Sequence, residues 1–361
     1  MKYCSRVYDY LYLDSYNGNA MICQWMNPQE CSIGNIIESD VQDVWEGEKA
    51  QYFRNLFRDG CYKYCRLEAC PLLANNQLPD IKDTEEYENK CKTSDRPLKI
   101  NLAYDAVCNQ YCETCRNSVF IPPKDYKEKM NIIREKITPY INTAKEISAS
   151  GHGDPFASPY MMDLLEGLQP KDPDFKILLE TNGVFFDEQH WERIKHLGKY
   201  HLKVVLTSNS FDEFTYKHIS RGGNFEKLMD NLKFIKTLRE QNLINEYISS
   251  FVIQDRNFRE LPSFIKRSLD EFGFDSVVLK PVYQWGSMPD DVFWFKDVLN
   301  PKHPYHQEYL EILQCPELKD PRVYNFGGDT VHPCRDYPVQ RKVKKNFKTK
   351  IKNKIKKLLH V

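Results

Sequence analysis

The chain has 361 residues, 41% of them hydrophobic and 28% charged, the balance of a globular protein with room for one large domain and a small one. Its formal net charge is zero but unevenly spread: residues 341–361 hold ten Lys/Arg and no acid, leaving 41 basic against 51 acidic groups in residues 1–340. An acidic body argues against coating a nucleic-acid backbone, and no apolar run reaches the roughly 18 residues of a membrane-spanning helix.

MKYCSRVYDY opens the chain without the apolar core of an export signal, so a cytoplasmic location is expected. Twelve cysteines in that setting point to thiols kept reduced for metal or catalysis rather than for disulfides. Isolated ones, such as Cys315, read as structural. CSRVYDYLYLDSYNGNAMIC alternates apolar and polar residues around Asn17-Gly18, a hairpin signal. VQDVWEGEKAQYFRNLFRDG then predicts one helix ending on Gly60, followed by the thiol-rich CYKYCRLEACP.

From residue 97 the pattern changes. Strand-length apolar runs (LKINLAYDAV, EISASG, FKILLETNG, HLKVVLTSN, YISSFVIQ, DSVVLKPVYQWG) alternate with helical ones such as KDYKEKMNIIREKITPYI and NFEKLMDNLKFIKTLRE. That grammar predicts about six βα units with a parallel sheet inside and helices outside. Six is fewer than a closed barrel needs, so an open or partial barrel is expected, its chemistry at the C-terminal strand ends.

CNQYCETC, directly after the first of these strands, places Cys108, Cys112 and Cys115 on one loop. A structural zinc site wants four donors, and the fourth would have to come from elsewhere, such as His152. A redox CxxC at Cys112 and Cys115 leaves Cys108 without a role. The remaining reading is an iron–sulfur cluster on three thiolates, with one iron open to another ligand.

These residues, with those that follow them, resemble the radical S-adenosylmethionine (SAM) superfamily over residues 97–285. SASGHGDPFASP is similar to that family's GGEP-type loop, and LLETNG to its third-strand ending. LTSNSFDEFTYKHISRGGNFEKLMDNLKFI is similar to the fourth-strand segment. The departures are Thr114, where many members have an aromatic residue, and Asp154, where Glu is usual. The resemblance implies a partial (β/α)6 barrel and a [4Fe–4S] cluster on Cys108, Cys112 and Cys115 that chelates SAM. It also implies reductive cleavage of SAM to a 5′-deoxyadenosyl radical that abstracts a substrate hydrogen. By the same comparison Gly151, His152, Gly153, Asp154, Pro155, Thr181, Asn182, Thr207 and Asn209 are cofactor-binding positions, Gly153 because a side chain would obstruct approach to the SAM amino group. His152 and Asp154 also have plain readings, as a loop histidine and as an Asx-turn former; Asn182-Gly183 can equally be a turn.

Cys4, Gly18 and Cys23, with the later CYKYCRLEAC, resemble the twitch or SPASM auxiliary-cluster module, here placed before the barrel rather than after it. Cys4, Cys23, Cys65 and Cys70 are taken as ligands of one auxiliary [4Fe–4S] cluster. Cys61 and Cys91 are alternatives that would complete a four-thiol set with Cys65 and Cys70, and a zinc knuckle from the same thiols is the plainer possibility.

Near the end, YNFGGDTVHPCRDYP reads as a strand or loop returning toward the site, with Cys334 and Arg335 unassigned. RKVKKNFKTKIKNKIKKLLHV spaces Val343, Phe347, Ile351, Ile355 and Leu358 as a basic amphipathic helix suited to an anionic membrane surface, or as a solvated charged tail.

The expected organisation is an auxiliary module at 1–95 (a small cysteine-rich α+β unit), a radical SAM partial barrel at 96–290, an extension near the site at 291–340 and a basic tail at 341–361. The expected activity is oxidation or epimerisation of a small polar, sugar-like substrate, including envelope-glycan precursors, with flavodoxin or ferredoxin as electron donor. Peptide maturation is the second reading, and a non-catalytic zinc- or Fe–S-binding interaction protein the one from another class.

Overall fold

Among the described residues the strands form a single ten-stranded sheet. The computed structural model describes residues 1–27, 30–67, 70–149, 151–284 and 286–326. The expected basic helix at 341–361, and the segment with Cys334 and Arg335, lie outside the described residues.

The N-terminal strands are β1 (Tyr10–Leu13), β2 (Asn19–Met21) and β3 (Gly34–Asn35). β1 and β2 form the expected hairpin, antiparallel with Leu13 opposite Ala20. Gly18 takes the left-handed φ of 83° that its turn requires. The predicted helix at 41–60 is two helices, Val41–Glu46 and Glu48–Arg58, because Gly47 sits at ψ 160° and breaks the ladder.

Six parallel strands follow: β4 (Lys99–Asn101), β5 (Glu146–Ala149), β6 (Lys176–Thr181), β7 (His201–Thr207), β8 (Glu246–Ile253) and β9 (Ser276–Pro281). Each pairs in parallel with the next, giving the partial (β/α)6 barrel expected from the alternation. Polar side chains cap the helices between them: Ser158, Asp187, Asp212 and Asn224 each accept from an N–H of the first helical turn.

The sheet extends beyond these six at both ends. β1 pairs in parallel with β4, Leu11 against Ile100, so the auxiliary hairpin is an edge extension of the barrel sheet. At the other end β10 (Val323–Asn325) returns parallel to β9, after the helices Asp290–Lys296 and His306–Ile312. One continuous core joins the parts, with Leu11, Trp45, Ile100 and Ile137 in the same buried cluster.

Alternation divides each barrel strand into an outer and an inner row. Outer residues meet the helices: Ser268 donates to Ser249 at 3.2 Å, and Phe264 packs on Phe251. The inner row faces the lumen and carries Asn101, Ser148, Glu180, Thr207, Ser250 and Lys280 toward its C-terminal end.

Candidate iron–sulfur and SAM site

The three-cysteine loop leaves β4 and is clamped from the far side of the barrel. Tyr111 and Glu113 donate their N–H groups to the carbonyls of Arg221 and Ile219, each at 2.9 Å. The Arg221 guanidinium lies 5.0 Å from the Tyr111 ring centre and donates to the Tyr111 carbonyl at 3.1 Å. Gly223 must lack a side chain, since a Cβ there would sit 2.3 Å from Tyr216 Oη and 2.6 Å from Gln110 Nε2.

Cys108 and Cys112 are half-buried and Cys115 is exposed. Burial is the main force pushing the Cys108 and Cys112 thiols up to about 12; Asp154 and Cys115 add to it at Cys108, Cys115 and Cys108 at Cys112. The protein alone thus does not favour thiolates at Cys108 and Cys112. Bound cations would supply the missing compensation, as metal sites do when they release thiol protons. Cys108 Sγ also accepts from Gln110 N at 3.4 Å and from Asn182 Nδ2 at 3.8 Å.

The GHGDP loop is tied to this one through its backbone. A Cβ on Gly153 would meet the carbonyl oxygens of Val107 and Asp105 at 2.5 and 2.6 Å, so the glycine lets the two loops touch. Asp154 is buried and accepts from Asn182 N (2.7 Å), Thr181 Oγ1 (2.9 Å), Phe156 N (3.0 Å) and Ala157 N (3.2 Å). Its side chain therefore organises the loop and the end of β6. Pro155 is buried beside it, while Gly151 and His152 are exposed. Arg116 donates to the carbonyls of Ala106 (2.8 Å) and His152.

Thr207 ends β7 in the lumen row. Asn209 is held at φ 60° with its Oδ1 accepting from Val252 N at 2.8 Å, so that oxygen bridges the ends of β7 and β8. Between them Ser208 is fully buried, and its Oγ has no partner among the described residues. Gln254, just past β8, is likewise buried with neither amide atom partnered. Sequence reading passed over Arg116, Arg221, Ser208 and Gln254. The RGG run and the strand-end position were their only local signals.

The second thiol set forms in the N-terminal module. Asn27 and Arg66 donate backbone N–H groups to Tyr64 and Trp25 at 3.1 and 2.8 Å, joining the segment after Cys23 to the one around Cys65. Tyr3, beside Cys4, donates its N–H to the Pro79 carbonyl at 2.9 Å. Cys4 and Cys70 act on Cys23, and Cys23, Cys4 and Cys70 act on Cys65. Cys4, Cys23, Cys65 and Cys70 thus lie within electrostatic range of one another. Of the alternatives, Cys91 sits against the hydroxyls of Tyr8 and Tyr87, and Cys61 faces Tyr52 and Lys63. Buried Cys31 is a further neighbour of Cys65 that the spacing did not single out.

Every described cysteine is free. Among the described residues no three Cys, His, Asp or Glu side chains converge tightly enough to bind one metal ion. Two open hollows of about 610 and 600 Å³ lie at the opposite, N-terminal strand ends, around Lys176 and His201 and around Arg96 and Lys171.

Residues 106–265 match the family model of the radical SAM superfamily, and residues 4–71 match SPASM, an iron–sulfur cluster-binding domain. A GTP 3′,8-cyclase of Limosilactobacillus fermentum is 24% identical over 173 residues, 47% of this chain and 50% of the relative. The chain thus spans about half the length of that curated relative. Among solved structures, a hexahistidine-tagged anSMEcpe with bound AdoMet is 14% identical at a TM-score of 0.35, covering 59% of this chain and 61% of that one. Streptococcus suis SuiB bound to S-adenosylmethionine is 13% identical at a TM-score of 0.37, covering 87% and 69%. Methylornithine synthase (PylB) is 11% identical at 0.37, covering 68% and 76%.

Proposed function

We propose that this chain, which carries a radical SAM domain and an iron–sulfur-binding SPASM domain and takes [4Fe–4S] clusters and SAM as cofactors, is an enzyme that cleaves SAM reductively and oxidises or epimerises a small polar, sugar-like substrate. When bound, the cluster and SAM supply a 5′-deoxyadenosyl radical able to take a hydrogen atom from that substrate. Cys108, Cys112 and Cys115 would hold the cluster that binds SAM, and Cys4, Cys23, Cys65 and Cys70 one auxiliary cluster. Asp154, Arg116 and Arg221 fix the loops around the first set, so the thiol loop and the exposed Gly151–His152 backbone keep one relative position.

The lumen beneath carries the substrate reading. Its C-terminal half presents Asn101, Ser148, Glu180, Thr207, Ser250 and Lys280, and the Oδ1 of Asn101 and Oγ of Ser250 are buried without a partner among the described residues. Unpaired buried polar atoms are costly unless a ligand completes them. Lys280 Nζ stands 4.0 Å from Glu180 Oε1 with both side chains more than a third exposed, a loose pair that a hydroxyl-rich molecule can enter. An apolar substrate would leave these groups unsatisfied.

The reductant is taken to be of the flavodoxin or ferredoxin type, acting in the cytoplasm. The lysine pattern of residues 341–361 supports peripheral contact with an anionic membrane face; among the described residues no helix is long and apolar enough to cross a membrane.

Anaerobically reconstituted protein given dithionite and SAM is expected to release 5′-deoxyadenosine and methionine. A panel of sugars, nucleotide sugars and GTP, the last chosen from the name of the L. fermentum relative, should contain a compound that raises the rate and emerges oxidised or epimerised. Absence of 5′-deoxyadenosine above background with the whole panel contradicts the proposal.

A further inference from the structure

The N-terminal module touches the inner row of the barrel through Gln24. Its Oε1 accepts from three donors: Tyr10 Oη, Arg6 Nη1 at 3.5 Å and Asn101 Nδ2 at 3.3 Å. Asn101 closes β4 on the inner row, with Ser148 of β5 beside it in register. It is 5% exposed, and its Oδ1 is buried with no partner among the described residues.

The amide orientations follow from what each neighbour can offer. A guanidinium has donors only, so Gln24 must turn its oxygen, and not its NH2, toward Arg6. The same oxygen then requires the NH2 of Asn101, which leaves Asn101 Oδ1 facing away from Gln24. A buried oxygen without a donor is costly until something supplies one. We propose that Asn101 is a substrate contact whose Oδ1 accepts from a hydroxyl or N–H group, and that Gln24 is the positioning residue that holds it in that orientation. A substrate with a ring hydroxyl at this point is bound. One with a carbonyl or ether oxygen there is rejected, because two acceptors would meet. This rests on the reading of the lumen as the seat of a small polar substrate.

The test uses the full chain reconstituted anaerobically, with SAM and without dithionite, so that binding is read apart from turnover. Equilibrium dialysis gives the Kd of UDP-glucose, glucosamine and GTP for the parent, Asn101→Leu, Gln24→Leu, Gln24→Glu and the Gln24→Leu/Asn101→Leu double variant. Iron content checks that each variant is intact. For the probe that the parent binds, Asn101→Leu and Gln24→Leu are each expected to weaken binding about tenfold. The double variant should be no weaker than Asn101→Leu, since Gln24 acts through Asn101. Gln24→Glu keeps an acceptor for Arg6 and Asn101 and should stay near the parent value. Parent affinity in Asn101→Leu overturns the proposal, and losses that add in the double variant overturn the role of Gln24. If Gln24→Leu does not retain iron, loss of affinity in Asn101→Leu with retention in Gln24→Glu supports the proposal, and loss in both overturns the role of Gln24. A parent that binds none of the three probes contradicts the substrate reading itself, and this inference with it.

Discussion

Asp154 shows how a residue can be legible by position and still have an unread task. The GHGDP pattern marks its loop, yet the donors that fill its carboxylate, Thr181 and Asn182, come from the end of the next strand. Pairing across that separation depends on how two strand ends meet, which local spacing does not encode. The same holds for Gly153, whose missing side chain makes room for the carbonyls before Cys108. At β7 the strand end is visible in LTSNS, but which polar side chain is free there depends on the left-handed turn at Asn209. Asp154→Ala would strand the Thr181 hydroxyl and the Asn182 N–H, and is expected to cost about 3 kcal/mol. Urea unfolding should show a lower midpoint, and iron loading of the three-cysteine site should fall with it. An unchanged midpoint would mean the carboxylate is not the loop's organiser.

Elements within the barrel were readable because periodicity is local: the six strand-length runs appear as β4 to β9. Contacts between elements were not. Nothing in YDYLYL announces that β1 will lie parallel to β4, with most of the auxiliary module looped out between them. The extension after β9 hides a similar long-range contact. Lys296, at the end of the helix Asp290–Lys296, has a side chain only 4% exposed and pairs with Glu113 at 2.9 Å and Asp255 at 3.2 Å. Glu113 lies between Cys112 and Cys115, so this helix grips the thiol loop from outside. Lys296→Met leaves Asp255 without this partner and Glu113 with Arg256 alone, 3.2 Å away. A destabilisation of about 1–3 kcal/mol is expected. Arg256→Met, at a surface position, should cost less than about 1 kcal/mol. Equal urea midpoints for the two variants would contradict a structural role for the buried lysine.

On the scale of the whole molecule, one sheet carries both thiol sets. The set with Cys4 and Cys23 sits at the hairpin end, and the set on the Cys108–Cys115 loop at the mouth of the strands that follow. Composition gives an acidic body, and cysteine spacing sets out two groups of thiols. Spacing leaves open which thiols close the second set, since the segments beside Cys23 and Cys65 meet through the long-range bridge between residues 25–27 and 64–66. We propose the two thiol sets as separate iron–sulfur sites, three thiols in one and four in the other. Iron counted per chain after anaerobic reconstitution tests it most directly. The full chain should hold about eight irons, falling to about four when Cys108, Cys112 and Cys115 become Ala and to about four when Cys4, Cys23, Cys65 and Cys70 do. About four irons in the full chain, or zinc in place of iron at either set, would contradict it.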